Sequence, residues 1–270
     1  LRTQGGNILI NLFFGPTVNA ARGIAMQVGT AATSFVNSFT TAVNPQITKC
    51  YANGEMNSAM KLVFQSAKFS FIILLFITLP IFISASYVLE LWLKEVPDYT
   101  VVFVQLTLIF TLMECLAIPL RTLSHATGKI RDFQLVVGGI QMLNFPISYI
   151  CLKFGLQPEY VFVIAIAISV LCEMGRLVML KKMVGLPVGS FLKDIYFVSI
   201  IVAIISAIIP WFIRNFFSQN FVSFIILSLI TVICVATVSY TIGCTKADRA
   251  TIRMSIKKVS NKFLKKSIKL

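Results

Sequence analysis

Long apolar segments follow one another along the chain and limit the folds available to it. Each holds about 20 or more mostly apolar residues, the length that an α-helix needs to cross a bilayer. The chain is 57% hydrophobic and 13% charged, with a mean hydropathy of +0.86, whereas soluble domains are about 25% charged. The apolar runs are continuous rather than alternating, which argues against a β-barrel. We therefore predict an all-α fold, a polytopic transmembrane helix bundle.

The segments predict about seven full spans after a truncated first helix. Residues 8–14 form an apolar run of only about half a span, and the chain does not begin with Met. We expect a C-terminal fragment that begins inside a helix, with a short re-entrant start as the alternative. Gly15 and Pro16 are expected to end this first helix. The full spans are predicted at 18–44, 60–93, 100–123, 133–152, 159–180, 195–213 and 221–243.

Prolines and loops predict where the spans end or bend. Asn44–Pro45 is expected to end the first full span, because proline disfavours helix for the residue before it. Pro80 and Pro146 are expected to bend two later spans. A longer loop is predicted at 181–194. The tail from residue 245 is either an amphipathic helix at the membrane surface or a solvated basic segment.

Lysine and arginine are distributed unequally between alternate loops, although the net charge of +14 does not indicate nucleic-acid binding. One set of loops together with the tail holds nineteen of them, and the other set holds three, with Arg2 and Arg22 left out. Positive residues mark the cytoplasmic side of membrane proteins. We therefore predict a multi-pass protein with a cytoplasmic C-terminus.

No motif of an enzyme or a metal site is found in the sequence. The six cysteines have no CxxC spacing, and the chain has one histidine, so the cysteines are interpreted as small apolar residues of helices. Nucleophile elbows, zinc-protease motifs and phosphate-binding glycine loops are absent. The prediction is a protein that is not an enzyme and has no metal or cofactor.

The span predicted at 18–44 has a polar face that is unsuited to lipid. At about 100° per residue, eight small or polar residues fall on one narrow face. Hydrocarbon offers polar groups no partner, so this face, the polar stripe, is expected to line a water-filled cavity. Ile24, Val28, Phe35 and Phe39 fall on the opposite side, and Arg22 lies beside the stripe. The stripe residues are Asn19, Gly23, Gln27, Thr30, Ser34, Asn37, Thr41 and Asn44.

Ionisable residues within predicted spans are candidate functional groups. Arg22 is expected either to bind an anionic headgroup or to extend to the membrane surface. Glu114 is expected either to carry a proton or sodium ion or to join two helices through a basic residue. Glu173 and Arg176 are three residues apart on one helix and are expected to form a structural pair.

Two further polar residues, Gln141 and Asn144, share one side of their span just before Pro146. Polar side chains beside a proline indicate either contact with neighbouring helices or a bend at a cavity.

Three stretches of the chain resemble a known family of transporters. They are ILINLFFGPTVNAARGIAMQVGTAATSFVNSFTTAVNPQITKCYANGE, SYVLELWLKEVPDYTVVFVQLTLI and ATGKIRDFQLVVGG. Together they resemble bacterial polysaccharide-biosynthesis membrane proteins, the O-antigen and capsule-repeat flippases. These belong to the multidrug/oligosaccharidyl-lipid/polysaccharide exporter superfamily. The resemblance implies a transport lobe at 1–182, two additional spans at 183–244 and a basic cytoplasmic tail at 245–270.

The resemblance also implies an activity, which is to flip lipid-diphosphate-linked oligosaccharide repeat units across the bacterial inner membrane by alternating access. Arg22, Gln27, Thr30, Ser34, Asn37, Thr41 and Asn44 would line the cavity. Glu114 would couple transport to H+ or Na+. The expected partners are the lipid-linked oligosaccharide, membrane lipids, a polysaccharide polymerase and glycosyltransferases. The alternatives are a multidrug cation antiporter of the same superfamily and a membrane enzyme of polysaccharide assembly.

Overall fold

The computed structural model describes residues 2–217, 220–245 and 248–249, and its regular elements there are all helices. Two π-helical turns, Leu192–Phe197 and Ser239–Gly243, adjoin the ninth and tenth α-helices. Most of the tail, including its predicted amphipathic part, lies outside the described residues. The α-helices are α1 (Arg2–Ala52), α2 (Met56–Ile83), α3 (Ala85–Leu93), α4 (Thr100–Ala126), α5 (Ile130–Met142), α6 (Asn144–Lys153), α7 (Tyr160–Val184), α8 (Val188–Phe191), α9 (Val198–Ile213) and α10 (Phe221–Val238).

Seven helical segments of the described chain are long and apolar enough to cross a membrane. Many large apolar side chains on their outer faces are exposed, as expected for surfaces in contact with lipid. The predicted polytopic transmembrane helix bundle is therefore confirmed. The seven segments are Gln4–Ala52, Met56–Ile83, Thr100–Ala126, Ile130–Lys153, Tyr160–Val184, Val188–Phe216 and Phe221–Gly243.

The connections between successive spans lie alternately at the two ends of the bundle. Successive spans alternate in direction, so the connections at 53–55, 127–129 and 185–187 share one end with the beginning of the tail. This end is called the basic end. The connections at 94–99 and 154–159 lie at the opposite end.

Gly15 interrupts α1 and reverses the chain. Its backbone has φ +81° and ψ −178°, a conformation that essentially only glycine adopts. A Cβ added at Gly6 would lie 3.4 Å from Nη2 of Arg22, so residues on either side of Gly15 come into contact. The predicted end of the first helix at Gly15 is confirmed.

The predicted end of the polar-stripe helix at Asn44–Pro45 is wrong, because α1 continues to Ala52. Proline removes a single backbone donor, and membrane helices tolerate this loss. Ile47, just after Pro45, is fully buried. Packing of this side chain therefore stabilises the helical turns beyond the proline.

The span predicted at 60–93 begins earlier and is broken at Ser84, one turn after Pro80. Helix α2 begins at Met56, and Ser84 (φ −105°, ψ 25°) separates it from α3. The carbonyl of Phe82 accepts a hydrogen bond of 3.2 Å from Nε2 of Gln105, and that of Ile83 accepts one of 2.9 Å from Nη1 of Arg214. Side chains thus replace backbone donors where the helix is interrupted.

The predicted loop at 181–194 is also wrong, since only 185–187 connect α7 to α8. Gly185 ends α7 in a left-handed conformation, with φ +69°, which glycine adopts without strain. Leu186 is buried, and Pro187 directly precedes the first residue of α8. A short connection is sufficient, and the charged residues that suggested a loop lie on helical turns.

Helices α1, α2, α4 and α7 form the centre of the bundle. Helix α4 packs against the other three, and α5 and α6 cover α7. Helices α9 and α10 pack on each other and reach the centre through α2. Helix α2 is therefore the main element that joins the last two spans to the rest of the bundle.

A face of small residues brings α1 against α4. Ala21, Ala25, Ala32 and Val36 are buried there, and a Cβ added at Gly29 would lie 2.7 Å from Cγ2 of Thr107. Small residues at this spacing let membrane helices approach closely. The stripe is thereby held beside α4.

We expect Gly29→Ala to destabilise the protein by about 1 to 3 kcal/mol, because α1 and α4 must separate to admit the methyl group. Gly23→Ala on the same helix is the matched control, since nothing lies within 4 Å of its added Cβ. The control should be neutral or stabilising by up to about 1 kcal/mol. Unfolding in detergent measures both variants, and equal stabilities would contradict the close contact.

Candidate functional site: a polar cavity between two helices

The polar stripe borders a cavity of about 260 Å³ between α1 and α4. Thr30, Thr33 and Asn37 line it from α1, and Glu114 and Arg121 line it from α4. We call it the stripe cavity. Two of the predicted cavity residues, Thr30 and Asn37, thus lie beside the predicted coupling residue.

Hydroxyl groups of the stripe donate their hydrogens to their own helix. Thr30 donates to the carbonyl of Met26 at 2.8 Å, and Thr41 donates to that of Asn37 at 2.7 Å. Ser34 likewise donates to the carbonyl of Ala31, at 2.7 Å. These oxygens keep lone pairs for a ligand's donors, which is how a row of hydroxyls stays satisfied when nothing is bound.

The other predicted stripe residues lie outside the lining of the stripe cavity. Gln27, Ser34 and Thr41 are exposed on the same face of α1. Asn44 is half-buried, and its Oδ1 has no hydrogen-bond partner among the described residues. The face therefore continues past the cavity in both directions.

Glu114 connects the stripe cavity to a buried network. Its Oε2 lies 3.2 Å from Nη1 of Arg121 on the same helix, and its Oε1 accepts a hydrogen bond of 2.6 Å from Ser169 on α7. Nη1 of Arg176 lies 4.0 Å from the same Oε1. Both carboxylate oxygens are thus engaged, and α4 is joined to α7.

The network continues into the interior through Glu173. Arg176 and Glu173 form an ion pair, and their side chains are 1% and 2% exposed. Tyr196, on the π-helical turn Leu192–Phe197, donates a hydrogen bond of 2.7 Å to Oε2 of Glu173. The expected pair of Glu173 with Arg176 is confirmed. Through Tyr196, Glu173 also joins α7 to the sixth membrane segment, Val188–Phe216.

Arg22 lies in a different, smaller cavity. This cavity measures about 70 Å³ and is lined by Arg22, Thr107, Asn144 and six other residues. Arg22 is buried, with 8% of its surface exposed. Asn144, which the sequence placed at a bend or a helix contact, begins α6 after the break at Leu143.

A second buried ion pair, at the basic end, joins α2 to the beginning of the tail. Oδ2 of Asp248 lies 2.9 Å from Nζ of Lys68 and accepts hydrogen bonds from the backbone and side chain of Thr245. Gln65 donates to Oδ1 at 3.3 Å. Burial raises the pKa of Asp248, but these donors outweigh it and lower the pKa to about 2.

Comparison with models of known protein families shows to which family the chain belongs. The profile of the MatE family matches residues 6–150, more than half of the chain. The chain belongs to the MatE family. The match includes the whole lining of the stripe cavity and, except for Val161, Phe162 and Ala165 of α7, that of the smaller cavity.

A protein of the MatE family is a transporter of the multidrug/oligosaccharidyl-lipid/polysaccharide exporter superfamily. Proteins of the MatE family are transporters rather than enzymes. No curated protein and no solved structure matches this chain. Within the described residues of this MatE protein, no group of three His, Cys, Asp or Glu side chains could hold a metal ion.

Sequence reasoning missed three contributors to the MatE site. Ser169 binds Glu114, and a single hydroxyl in an apolar span carries little signal. Thr107 shares one face of its helix with Glu114, but its place in the lining of both cavities depends on how the helices pack. The small-residue face of α1 was readable from the spacing of Ala21, Ala25 and Gly29, but the polar stripe drew attention to the opposite side.

Proposed function

We propose that this protein flips lipid-diphosphate-linked oligosaccharide repeat units across the bacterial inner membrane by alternating access, for O-antigen, capsule or exopolysaccharide biosynthesis. The composition of the stripe cavity is the observation that carries the proposal. Its polar groups are hydroxyls, an amide and one ion pair, Glu114 with Arg121. Sugar hydroxyls both donate and accept hydrogen bonds, and such neutral groups match them.

The same lining argues against a multidrug cation antiporter. Glu114 is the one acid that lines the described stripe cavity, and Arg121 and Ser169 engage both of its oxygens. A cationic drug would have to displace Arg121 to reach the carboxylate. A neutral sugar hydroxyl needs no such exchange.

Glu114 is our candidate for coupling to H+ or Na+. Uptake of a proton or sodium ion would weaken its contact with Arg121, which lines the cavity. Ion binding would then change the polar wall that faces the carried molecule. In this proposal the coupling ion and the substrate compete for the same wall.

The proposal includes the orientation of the protein in the membrane and the proteins that act before and after it. The basic end, with most of the Lys and Arg residues, faces the cytoplasm, so the substrate enters there after glycosyltransferases build it on its lipid. A polysaccharide polymerase receives it on the other side. The two additional spans, 183–244, and the tail follow the transport lobe, 1–182.

We expect the double substitution Thr30→Leu with Asn37→Leu to lower surface polysaccharide about tenfold or more. Each lost hydrogen bond to the sugar costs about 1 kcal/mol, and each 1.4 kcal/mol is about tenfold in rate. Both residues are exposed, so folding should change by less than about 0.5 kcal/mol. The variant is made in the chromosomal gene, and polysaccharide is measured relative to protein level.

Phe35→Leu is the matched control, since Phe35 is exposed on α1 on the side opposite to the stripe. It should leave surface polysaccharide unchanged. Drug susceptibility is measured in the same strains. Normal polysaccharide in the double variant together with increased drug susceptibility would favour the antiporter and contradict the proposal.

A further inference from the structure

A polar cleft of about 280 Å³ lies where the break between α2 and α3 meets the connection between the last two spans. We call it the break cleft. Because it includes residues on both sides of that connection, it lies toward the end of the bundle opposite to the basic end. Hydroxyl residues line it from the break, and one cation and two amides line it from the connection: Ser84, Ser86, Tyr87, Arg214, Asn215 and Asn220.

The break cleft is surrounded by apolar side chains that are directed outward. Phe212, Phe216 and Phe221, next to it in the chain, are 67%, 89% and 56% exposed. Hydrocarbon offers polar groups no partner, so a molecule that fills the cleft must supply polar groups of its own. Its apolar part can lie on the exposed phenyl rings. A phospholipid combines a polar headgroup with apolar chains in this arrangement.

Arg214 is held in place at the break cleft by two contacts. Its Nη1 donates a hydrogen bond of 2.9 Å to the carbonyl of Ile83, and its guanidinium lies 5.3 Å from the centre of the Trp211 ring. A guanidinium has five N–H donors, so these contacts leave donors for a bound molecule. Arginine is well suited to phosphate oxygens, and a side chain that is already ordered loses less entropy on binding.

The charges of the lining select an anionic headgroup over a zwitterionic one. Arg214 is the one charged residue among the described residues that line the cleft. Glu90, which lies one turn further along α3 than Ser86, is not part of this lining. The ammonium group of phosphatidylethanolamine would therefore meet a positive charge and no carboxylate. The glycerol hydroxyls of phosphatidylglycerol match the hydroxyls and amides of the cleft.

We propose that the break cleft binds the phosphate headgroup of an anionic phospholipid of the phosphatidylglycerol class. Its volume of about 280 Å³ is near the lower limit of about 300 Å³ for small-molecule sites, which suits a headgroup rather than an oligosaccharide. The bound lipid contacts the break at Ser84 and the connection between the last two spans, and so stabilises their packing. The site does not depend on what the stripe cavity carries.

The two tryptophans of the chain provide a local reporter and a reference. Trp211 lies beside Arg214, and Trp92, on α3, lies outside the lining of the cleft. They are 48% and 51% exposed. Trp92→Phe leaves Trp211 as the reporter, and Trp211→Phe leaves Trp92 as the reference. Each protein is placed in vesicles of equal amounts of phosphatidylglycerol and phosphatidylethanolamine, in which one lipid or the other carries brominated chains that quench tryptophan.

Quenching of Trp211 should show phosphatidylglycerol enriched about fivefold or more over phosphatidylethanolamine, the factor that one net hydrogen bond to a charged group supplies. Trp92 should show the two lipids equal to within about twofold, because exposed charges act weakly on its surroundings. Equal quenching of Trp211 by the two brominated lipids would overturn the proposal.

Asn220→Asp adds a carboxylate to the cleft and keeps the cap of α10. Oδ1 of Asn220 accepts a hydrogen bond of 2.7 Å from the backbone N–H of Ser223, and Asp caps a helix as well as Asn does. The preference at Trp211 should fall to about twofold or less, because the new charge repels a phosphate beside Arg214. Gln157→Glu is the matched control, since it adds the same charge at an exposed position of the connection 154–159, outside the cleft.

Asn215→Asp repeats the test without involving the cap, since Asn215 is exposed and adjacent to Arg214 in the chain. The preference should fall as it does in Asn220→Asp. A preference that persists in both Asp variants would show that Arg214 holds no phosphate. A preference lost equally in Gln157→Glu would show a general effect of surface charge, and this result also contradicts a site.

Glycerol 3-phosphate, added at millimolar concentration and constant ionic strength, separates a lipid from a soluble phosphate ester. The quenching of Trp211 should not change, because the bilayer keeps lipid headgroups at a high local concentration beside the cleft. Loss of the preference on this addition would assign the cleft to a water-soluble phosphate and would overturn the proposal of a lipid site.

Discussion

Replacing Arg176 by Met is expected to destabilise the protein by about 3 to 5 kcal/mol. The substitution leaves the buried carboxylate of Glu173 without its ion-pair partner and removes the charge 4.0 Å from Glu114. Removing one member of a buried ion pair typically costs this much, because the other charge stays buried and uncompensated. Equilibrium unfolding in detergent, compared with the unsubstituted protein, measures the loss.

The second substitution Glu173→Gln should restore most of the lost stability. It removes the uncompensated charge while an amide oxygen still accepts the hydrogen bond from Tyr196, which is 2.7 Å long in the native protein. Arg121→Met is the matched control on the other side of Glu114. Because Arg121 is 36% exposed, its loss should cost about 1 kcal/mol or less. A double variant no more stable than Arg176→Met would show that packing, not charge, accounts for the loss.

This network shows how far sequence reasoning reaches in a membrane bundle. The pair of Glu173 with Arg176 could be predicted, because residues three positions apart on one helix lie on the same side. The contacts of Glu114 with Ser169 and of Glu173 with Tyr196 join residues 55 and 23 positions apart. They depend on how helices pack, which one sequence does not specify.

The spans were predictable because the length and hydropathy of a membrane helix are set by the bilayer. The ends of the spans were less predictable. Pro45 and the charged segment after α7 carry local signals for a helix end or a loop, but burial of Ile47 and Leu186 stabilises other conformations. Local propensity is a weak predictor wherever tertiary packing acts on the same residues.

The candidate site also has features that the sequence predicts and features that depend on how the helices pack. The polar stripe follows from helical periodicity alone, and Thr30 and Asn37 do line a cavity with Glu114. The separation of Arg22 into its own compartment with Asn144 does not follow from periodicity. It requires the reversal at Gly15 and the break before α6, which help to place residues of α1, α4, α6 and α7 around one guanidinium.

Asp248→Asn is expected to release the beginning of the tail from α2. Lys68 and Asp248 are both buried and 2.9 Å apart, so loss of the carboxylate charge leaves a buried ammonium without compensation. We expect a cost of about 2 to 3 kcal/mol, less than for a fully interior pair because the site lies at the basic end near water. Cleavage by trypsin after Arg249, identified by mass spectrometry, should become about 30- to 150-fold faster, since cleavage follows the population of the open form. Asp194→Asn is the matched control, because Asp194 is an exposed residue of a cavity that Lys68 and Asp248 also line.

The pH dependence of this contact distinguishes an ion pair from simple packing. The pKa of Asp248 falls from 3.8 to about 2 on folding, so the folded state favours the carboxylate over the acid. Its stabilising effect is complete above about pH 5, decreases as the pH falls below about 4 and is lost below about pH 2. Resistance of the Arg249 site, measured with an acid-tolerant protease where trypsin is inactive, should therefore be constant from about pH 8 to 5 and decline in acid. Asn at position 248 should remove that decline, and a decline of equal size in both proteins would mean that another group holds the tail.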